Sequence, residues 1–329
     1  MKTRLLALAT TLAAVALVVF AAVALAGSNA PGPPPKITIA YQPGLGYAPL
    51  ILMKQQRVIE RRYPGTEVDW KVLASGTPIT NGVISGDIQI GAVGTGPFLV
   101  GWARGVDWRV IAPLNLGDLW LMARDPNIKT IADLRGKRIA TPTNTSIQAV
   151  MLRKMAEVKL RDPKALDPGL LAMDHPDGMQ ALLSGQIDAH FTSPPFQFQE
   201  KVRGAHVVGR TYNYFGAHSF LVTVMTEKFY GEHTDFARFF YNQVVAMQNL
   251  IKKDPDRVAK ILATDAGGTP TPRQFKQWLV NPALTWTARP LGLMRTATFM
   301  SRTGQLGGSK LPSSWMQLVF PPVQNQKGS

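Results

Sequence analysis

Residues 181–198 read ALLSGQIDAHFTSPPFQF. The pattern predicts the end of a helix, a turn at Ser184-Gly185, a short strand over residues 187–191 and a loop that opens a helix at Pro194. A polar loop between the C-terminal end of a strand and the N-terminus of a helix is where α/β sheets place their ligands. The segment therefore predicts an α/β fold with a candidate binding loop at residues 192–196.

A second copy of this pattern lies earlier in the chain. Residues 79–98 read ITNGVISGDIQIGAVGTGPF, so that SGDI at 85–88 aligns with SGQI at 184–187. At nearly the same offset, Ile39-Ala40 aligns with Ile139-Ala140. Two matched pairs at a similar spacing predict two similar α/β units in one chain.

Length and composition agree with two globular units. The chain has 329 residues, of which 45% are apolar, so it can form two substantial cores. From Lys36 onward, predicted strands alternate with short helices, which is typical of βαβ units built around a parallel sheet.

The first 26 residues have the pattern of a Sec-type signal peptide. Lys2 and Arg4 precede an apolar run over residues 5–25, and Ala24-Leu25-Ala26 is a small-x-small cleavage pattern. The run is also long enough for an uncleaved membrane anchor. The cleavage pattern favours removal after Ala26, so we expect residues 1–26 to be absent from the mature protein.

The chain contains no cysteine. We therefore expect neither disulfides nor a cysteine-linked lipid anchor, although the compartment reached by export would allow disulfides. An exported, unanchored protein fits a periplasmic location, where an outer membrane retains it.

The balance of charge is strongly basic. The formal net charge is +15, and loss of Lys2 and Arg4 with the leader would leave +13. Such a charge suits an anionic partner or surface. The basic residues are scattered, however, and form no basic-aromatic stripe, so the sequence favours a solvated basic surface and no nucleic-acid partner.

The sequence lacks the common signatures of catalytic and metal sites. There is no Gly-x-Ser-x-Gly elbow and no phosphate-binding Gly-Lys-Ser/Thr loop. The histidines lie far apart, without acids at ligand spacing, which argues against a metal site or cofactor. His190 ends a predicted strand; a core histidine is the favoured interpretation, and contact with a ligand stays open. The histidines are His175, His190, His206, His218 and His233.

The candidate binding loops share an absence of charge. None contains Lys, Arg, Asp or Glu, and most open a helix. Backbone N–H groups at helix N-termini, assisted by hydroxyls, hold small anions without a counter-charge. The sequence therefore predicts a cleft for a small anion, formed by five loops at residues 41–47, 75–77, 94–97, 141–146 and 192–196.

Several runs resemble the periplasmic solute-binding proteins of the nitrate/sulfonate/taurine ABC-importer family, which is related to thiamine-pyrimidine binders. They are SGDIQIGAVGTGP at 85–97, IADLRGKRIA at 131–140, ALLSGQIDA at 181–189 and KDPDRVAKIL at 253–262. The resemblance covers about residues 36–320 of the chain.

The resemblance implies a type II periplasmic binding fold: two α/β lobes joined by a hinge, with ligand in a central cleft. Lobe I would comprise residues 36–116 plus 213–320, and lobe II residues 117–212. It also implies that the protein delivers a small molecule to an ABC permease at the inner membrane. We expect a monomer, and we expect no enzymatic activity because the chain has a signal peptide and lacks a catalytic set. The positions that match the family's ligand loops, or lie where further contacts are expected, are Tyr41, Gln42, Ser75, Gly76, Gly94, Thr95, Thr145, Ser193, Pro194 and His218.

Two departures from the family bear on the ligand. Thr192-Ser193 stand where many members carry an aromatic residue before the proline. Taurine-type binders have an acid on the strand that here reads FLVT at 220–223. A zwitterionic amine is therefore disfavoured, and we expect an alkyl or aryl sulfonate or a carboxylate. The alternatives are an enzyme of the same fold acting on a pyrimidine-type molecule, and an exported sensory module without a small ligand.

Overall fold

Strands and helices alternate along most of the chain. The computed structural model describes residues 34–307 and 310–329, so the predicted signal peptide lies outside the described residues. Within the described part, no helix combines the length and apolarity that a membrane crossing requires. The strands are β1 (Lys36–Tyr41), β2 (Glu67–Val72), β3 (Ile90–Gly94), β4 (Trp108–Gly117), β5 (Trp120–Ala123), β6 (Ile139–Thr141), β7 (Leu170–Ala172), β8 (Ala189–Phe191), β9 (His206–Arg210), β10 (Ser219–Thr226) and β11 (Leu284–Thr285).

Helices connect these strands, and several more follow β10. They are α1 (Ala48–Gln55), α2 (Val58–Arg62), α3 (Gly76–Ser85), α4 (Thr95–Ala103), α5 (Ile147–Leu160), α6 (His175–Ser184), α7 (Phe196–Val202), α8 (Thr211–Phe215), α9 (Glu227–Glu232), α10 (Thr234–Lys253), α11 (Pro255–Asp265), α12 (Pro272–Leu279), α13 (Leu293–Arg302) and α14 (Pro321–Gln324).

The strands form two sheets with the same internal plan. The first has the order β11-β4-β10-β3-β1-β2, and the second has the order β7-β6-β8-β5-β9. In the first, β1 runs parallel to β2 and β3, while β10 is antiparallel to β3 and β4. In the second, β6 runs parallel to β7 and β8, while β5 is antiparallel to β8 and β9. The predicted pair of similar α/β units is thus confirmed.

The repeated sequence stretches occupy equivalent places in the two units. Ile39 pairs with Ile90 across β1 and β3, as Ile139 pairs with Ala189 across β6 and β8. Helices α3 and α6 both end in a left-handed glycine, Gly86 at φ 85° and Gly185 at φ 79°. Glycine adopts this conformation without the steric penalty of a Cβ. The matched SG pairs therefore mark the same helix-to-strand turn in both units.

The pattern of apolar residues explains how helices cover the first sheet. In β1, every residue after Lys36 is buried, as expected for a parallel strand with helices on both faces. On α10, Phe236, Phe240, Val244 and Ile251 are buried at helical spacing, and this face packs against β4 and α1. Helix α10 ends in Lys252 and Lys253, where the helix dipole favours positive charge.

The segment at 181–198 differs in detail from its prediction. Strand β8 begins at Ala189, because the amides of Gln186 and Ile187 still bond to Ala181 O in the turn after α6. Helix α7 begins at Phe196 instead of Pro194, and neither Pro194 nor Pro195 has an N–H to contribute to a helix.

The chain crosses between the sheets after β4 and again around α8. Asp118, at the first crossing, is almost fully buried. Its carboxylate accepts hydrogen bonds from Arg210 Nε at 2.7 Å, Thr211 Oγ1 at 3.3 Å and the Tyr212 amide at 3.1 Å. These contacts tie the two crossings together. The lobe boundaries at residues 116–117 and 212–213 stay predictions.

Candidate ligand-binding site

A cavity of about 40 Å³ lies where loops from the two units meet. Its walls come from β10 and the loops after β1, β2 and β3 in the first unit, and from the loops after β6, β7 and β8 in the second. A water needs ~10–15 Å³ on this measure, so the space suits a few non-hydrogen atoms, such as a small oxyanion group. Among the lining side chains there is no Lys, Arg, Asp or Glu, and His175 supplies the one imidazole.

The two walls are in contact, so the cleft is closed. The Leu45 amide donates to Pro194 O across the cleft at 3.1 Å. Gly96, in the first turn of α4, lies against the backbone of residues 145–147; a Cβ there would approach Ile147 N to 3.0 Å and also press on Thr145 O. Glycine at position 96 therefore permits this close approach of the two units.

The first wall presents helix N-termini and a glycine-rich loop. The N-cap residues of α3 and α4, Ser75 and Gly94, make no side-chain capping bond, so first-turn N–H groups remain for a ligand. Gln42 Nε2 donates to Tyr47 Oη at 2.7 Å. Asn115 Nδ2 donates to Gly46 O at 2.7 Å and fixes the loop after β1. The loop also lies close to β10, because a Cβ at Gly46 would be only 2.6 Å from Leu221 Cδ1.

The second wall is a hydroxyl-rich turn that leads into α5. Ser146 accepts from the Ala149 amide at 3.2 Å as N-cap and donates to Thr143 O at 2.8 Å. Thr143 Oγ1 lies 3.3 Å from Thr145 Oγ1. These bonds fix the turn so that Pro142, Thr143 and Ser146 line the cavity.

Behind the second wall, a chain of hydrogen bonds runs into the core of the second unit. Gln148 Nε2 lies 3.0 Å from His175 Nε2, and His175 Nδ1 lies 3.1 Å from His190 Nε2. His190 Nδ1 lies 2.6 Å from Glu200 Oε1. Gln148 and His175 line the cavity, whereas His190 and Glu200 are fully buried.

Burial sets the ionisation of these groups. It raises the pKa of the Glu200 carboxyl to about 9 and lowers the pKa of His190 to about 3. The pKa of His175 is also lowered, by burial and by the neighbouring His190. Glu200 Oε2 has no hydrogen-bond partner among the described residues, which also disfavours a buried carboxylate. At neutral pH, Glu200 is therefore a neutral acid beside two neutral imidazoles.

The structure brings together five of the residues that the sequence predicts for the site. Gln42, Gly76, Gly94, Ser193 and Pro194 line one cavity, although they come from both units. Their contact with a ligand stays a prediction.

The other five predicted residues lie near the cavity without lining it. Tyr41 packs against Tyr47 and Trp70, and Ser75 is the N-cap of α3. Thr95 Oγ1 donates to the carbonyls of Ser219 and Phe220. Thr145 faces a neighbouring groove beside α3 and α4. His218 is fully buried, and its Nδ1 lies 2.9 Å from Gly216 O.

Sequence reasoning misses five cavity residues: Ile147, Gln148, His175, Phe220 and Leu221. The internal repeat contains a signal for one of them. His175 opens α6 just as Gly76 opens α3, and the sequence predicts Gly76 as a site residue. Extending the alignment to this loop would have found His175.

Comparisons with known proteins agree on a family and a fold. A sequence model of the NMT1-like family matches residues 30–264, more than half of the chain. The taurine-binding periplasmic protein of Escherichia coli (strain K12) is 24% identical over 318 residues, covering 90% of this chain and 92% of that protein. A protein of the same organism assigned to aliphatic sulfonate binding is 26% identical over 179 residues; the match spans 52% of this chain and 53%, about half, of that relative.

Solved structures share the fold at low identity. The alkanesulfonate-binding protein of Xanthomonas axonopodis pv. citri, bound to MOPS, gives a TM-score of 0.70 at 22% identity, with 84% of this chain and 95% of that one covered. The periplasmic aliphatic sulphonate binding protein of Escherichia coli gives 0.69 at 19% identity, with 89% and 100% covered. The predicted type II periplasmic binding fold is confirmed.

Proposed function

The chain belongs to the NMT1-like family, and on this premise we propose that it is the extracytoplasmic substrate-binding component of an ABC importer. It captures a small organic anion between its two α/β units and delivers the ligand to a membrane permease. The observation that carries the proposal is the cavity itself. Loops from both sheets enclose it, and helix N-termini and hydroxyls line it without any Lys, Arg, Asp or Glu.

The lining favours an oxyanion with a short apolar part. Uncapped N–H groups at α3 and α4, together with Ser193, offer hydrogen-bond donors to a sulfonate or carboxylate. Phe220 and Leu221 offer an apolar surface. No acid faces the cavity to bind an ammonium group, so a zwitterionic amine fits less well. The two Escherichia coli relatives are named for binding aliphatic sulfonates and taurine, and these names support a sulfonate as the ligand class.

Binding works by closure about the two crossings. The ligand contacts both walls at once, so it stabilises the closed form over an open one. Lobe I of residues 36–116 plus 213–320 and lobe II of residues 117–212 are the moving bodies, and Asp118 lies at the hinge. The closed form is the one that the permease recognises.

Export completes the proposal. The signal peptide at residues 1–26 directs the chain through the Sec pathway, and cleavage after Ala26 releases it. Without a cysteine for a lipid anchor, the mature protein acts as an unanchored monomer in the periplasm.

A thermal-shift screen of the chain without residues 1–26 tests this function. The panel contains alkanesulfonates, arylsulfonates, carboxylates, nitrate and pyrimidines, with mass-spectrometric recovery of each ligand. A ligand at 100 times its Kd adds about 2.7 kcal/mol to the free energy of unfolding, which is a clear shift. Stabilisation by an anion that is recovered intact supports the proposal. Consumption of the ligand would instead indicate an enzyme, and no shift with any compound would indicate the sensory module.

A further inference from the structure

Four side chains form a hydrogen-bonded path from the cavity into the core of the second unit. We call Gln148, His175, His190 and Glu200 the buried path; its successive contacts are 3.0, 3.1 and 2.6 Å long. Gln148 is 3% exposed and lines the cavity, while His190 and Glu200 have no exposed surface. The direction in which these bonds donate therefore decides which atom Gln148 offers to a ligand.

The direction of the bonds follows from the atoms in contact. The first contact joins Gln148 Nε2 to His175 Nε2, and an amide nitrogen can only donate, so this ring nitrogen accepts and carries no hydrogen. Burial lowers the pKa of both His175 and His190, so each ring is neutral and has a single N–H. His175 therefore donates from Nδ1 to His190 Nε2, and His190 donates from Nδ1 to Glu200 Oε1. Every bond of the buried path thus donates inward.

Close packing holds the two rings in place. A Cβ on Gly178, in α6, would lie 2.7 Å from His190 Nε2, so the His190 ring fits beneath the helix because residue 178 is glycine. The rings of His175 and His190 lie 5.2 Å apart between centroids, and Phe196 packs on His175 at 5.5 Å. The His175 ring is therefore held where its Nε2 meets the amide nitrogen of Gln148.

The free end of the buried path is the amide oxygen of Gln148. Because the amide nitrogen is bound to His175, Oε1 is directed elsewhere, and it has no hydrogen-bond partner among the described residues. Asn115 Oδ1 and His218 Nε2 are also unpaired, but those two atoms are closed off from solvent, whereas Gln148 Oε1 is not. Since the Gln148 side chain is otherwise buried and lines the cavity, the space that Oε1 reaches is the cavity.

A buried acceptor that faces the cavity needs a donor on the ligand. The Ser193 hydroxyl and the first-turn N–H groups of α3 and α4 donate, so they suit the oxyanion. Gln42 also has an unpaired amide oxygen, but its side chain is partly exposed and water can bond to it. Gln148 Oε1 can be paired only from within the cavity, and a ligand that displaces water there without donating a hydrogen bond leaves it unpaired, which weakens binding.

We propose that Gln148 is a specificity-determining residue that selects a hydroxyl group, so that the ligand is a small organic anion with a hydroxyl beside its sulfonate or carboxylate. This inference rests on the proposed function and narrows its ligand class. A hydroxyl supplies the donor in a single heavy atom, which suits a cavity of about 40 Å³. An ammonium group would also donate, but the described residues that line the cavity include no Asp or Glu to balance its charge.

Calorimetry with two matched pairs of ligands tests this selection. Each pair exchanges a hydroxyl for a methyl group: 2-hydroxyethanesulfonate against propane-1-sulfonate, and glycolate against propanoate. In the wild type, the hydroxylated member of at least one pair should bind about 5- to 150-fold more tightly, because the methyl group leaves the Gln148 oxygen unpaired. Gln148→Met keeps the length of the side chain without the acceptor, so the preference should disappear or reverse. Gln180→Met is the matched control, because Gln180 is exposed on α6, and it should keep the wild-type preference.

Histidine ¹⁵N spectra of the wild type read the direction of the buried path without a variant. His175 and His190 should both be neutral Nδ1–H tautomers, and Nε2–H tautomers at these positions would refute the inference, because the Gln148 oxygen would then face His175. Equal affinities within both pairs, or a hydroxyl preference that survives in Gln148→Met, would refute it while the proposed function stands. The same holds if another anion of the thermal-shift panel binds and none of these four does. If no anion binds the wild type, the proposed function fails as well.

Discussion

Replacement of Gly96 by alanine should hold the cleft open. Its Cβ would point at the first turn of α5, 3.0 Å from Ile147 N and 3.1 Å from Ser146 C, and would press on Thr145 O. All three contacts are with backbone, so no side chain can move aside. The two units must therefore separate by several tenths of an ångström to relieve the clash.

The magnitude follows from the usual cost of overpacking. An extra methyl group in a closely packed site costs about 1–3 kcal/mol. Because opening relieves the clash, that cost falls on the closed form and thus on ligand affinity, which should drop about 5- to 150-fold. Alanine is also the better helix former, by ~1 kcal/mol, so helix α4 itself should not be weakened. The free energy of unfolding of the empty protein should therefore change little.

Calorimetry and small-angle scattering measure the two consequences. We expect a raised Kd for the anion found in the screen, and a larger radius of gyration for the variant at ligand concentrations that close the wild type. Gly231→Ala is the matched control, because Gly231 is also helical and a Cβ added there would meet nothing within 4 Å. Wild-type affinity in a folded Gly96→Ala protein would refute closure at this contact. A loss of stability without a loss of affinity would do the same.

Three further changes test the hinge, the buried acid and the outer rim of the cleft. Asp118→Ala leaves Arg210, the Thr211 hydroxyl and the Tyr212 amide without their acceptor, so urea denaturation should show a loss of about 1–3 kcal/mol in unfolding free energy; an unchanged midpoint would contradict this. Burial raises the pKa of Glu200 from 4.5 to about 9. At any pH between these two values, the folded protein therefore keeps a proton on Glu200 that the unfolded chain has released. Stability should then decline as pH rises through this window, by up to ~1.4 kcal/mol per unit, and Glu200→Gln should remove that slope. Glu157→Gln weakens the ion pairs of Glu157 with Arg302 at 2.6 Å and with Lys154 at 2.7 Å. The Arg302 pair joins α5 of the second unit to α13 of the first in the closed form and is worth about 0.2–1 kcal/mol, so ligand affinity should fall less than about fivefold and lose part of its salt dependence.

The two-unit plan can be read from the sequence because local signals repeat. The SG pairs at helix ends mark the same turn twice, and the strands that follow them are apolar. Likewise, loops without charge at helix starts predict a cleft from composition alone. Such signals depend on neighbouring residues, which the sequence displays directly.

Side-chain direction cannot be read in the same way. Tyr41 and Gln42 are adjacent, yet Gln42 faces the cavity while Tyr41 packs against Trp70. Gly94 and Thr95 behave similarly, since the Thr95 hydroxyl turns to the carbonyls of β10. A loop is predicted from its composition, but which of its residues points inward depends on the packing of both units.

The hydrogen-bonded chain of Gln148, His175, His190 and Glu200 cannot be predicted from the sequence for a related reason. His175 and His190 are separated by 15 residues, and His190 and Glu200 by 10. The three residues lie on α6, β8 and α7, so the periodicity of no single helix or strand brings them together. They meet because α6 and α7 pack against each other beside β8. The sequence predicts His190 as a core histidine, which its complete burial confirms, whereas its link to the cavity is visible only in three dimensions.

Capture of an anion between the two units can be tested by a crystal structure of the chain without residues 1–26, grown with methanesulfonate. We expect the sulfonate between the two units, with oxygens within hydrogen-bond distance of Ser193 and of the first-turn amides of α3 or α4, and with Gln148 and His175 beside it. A sulfonate bound only on the outer basic surface, with the cavity holding water alone, would contradict this mode of binding.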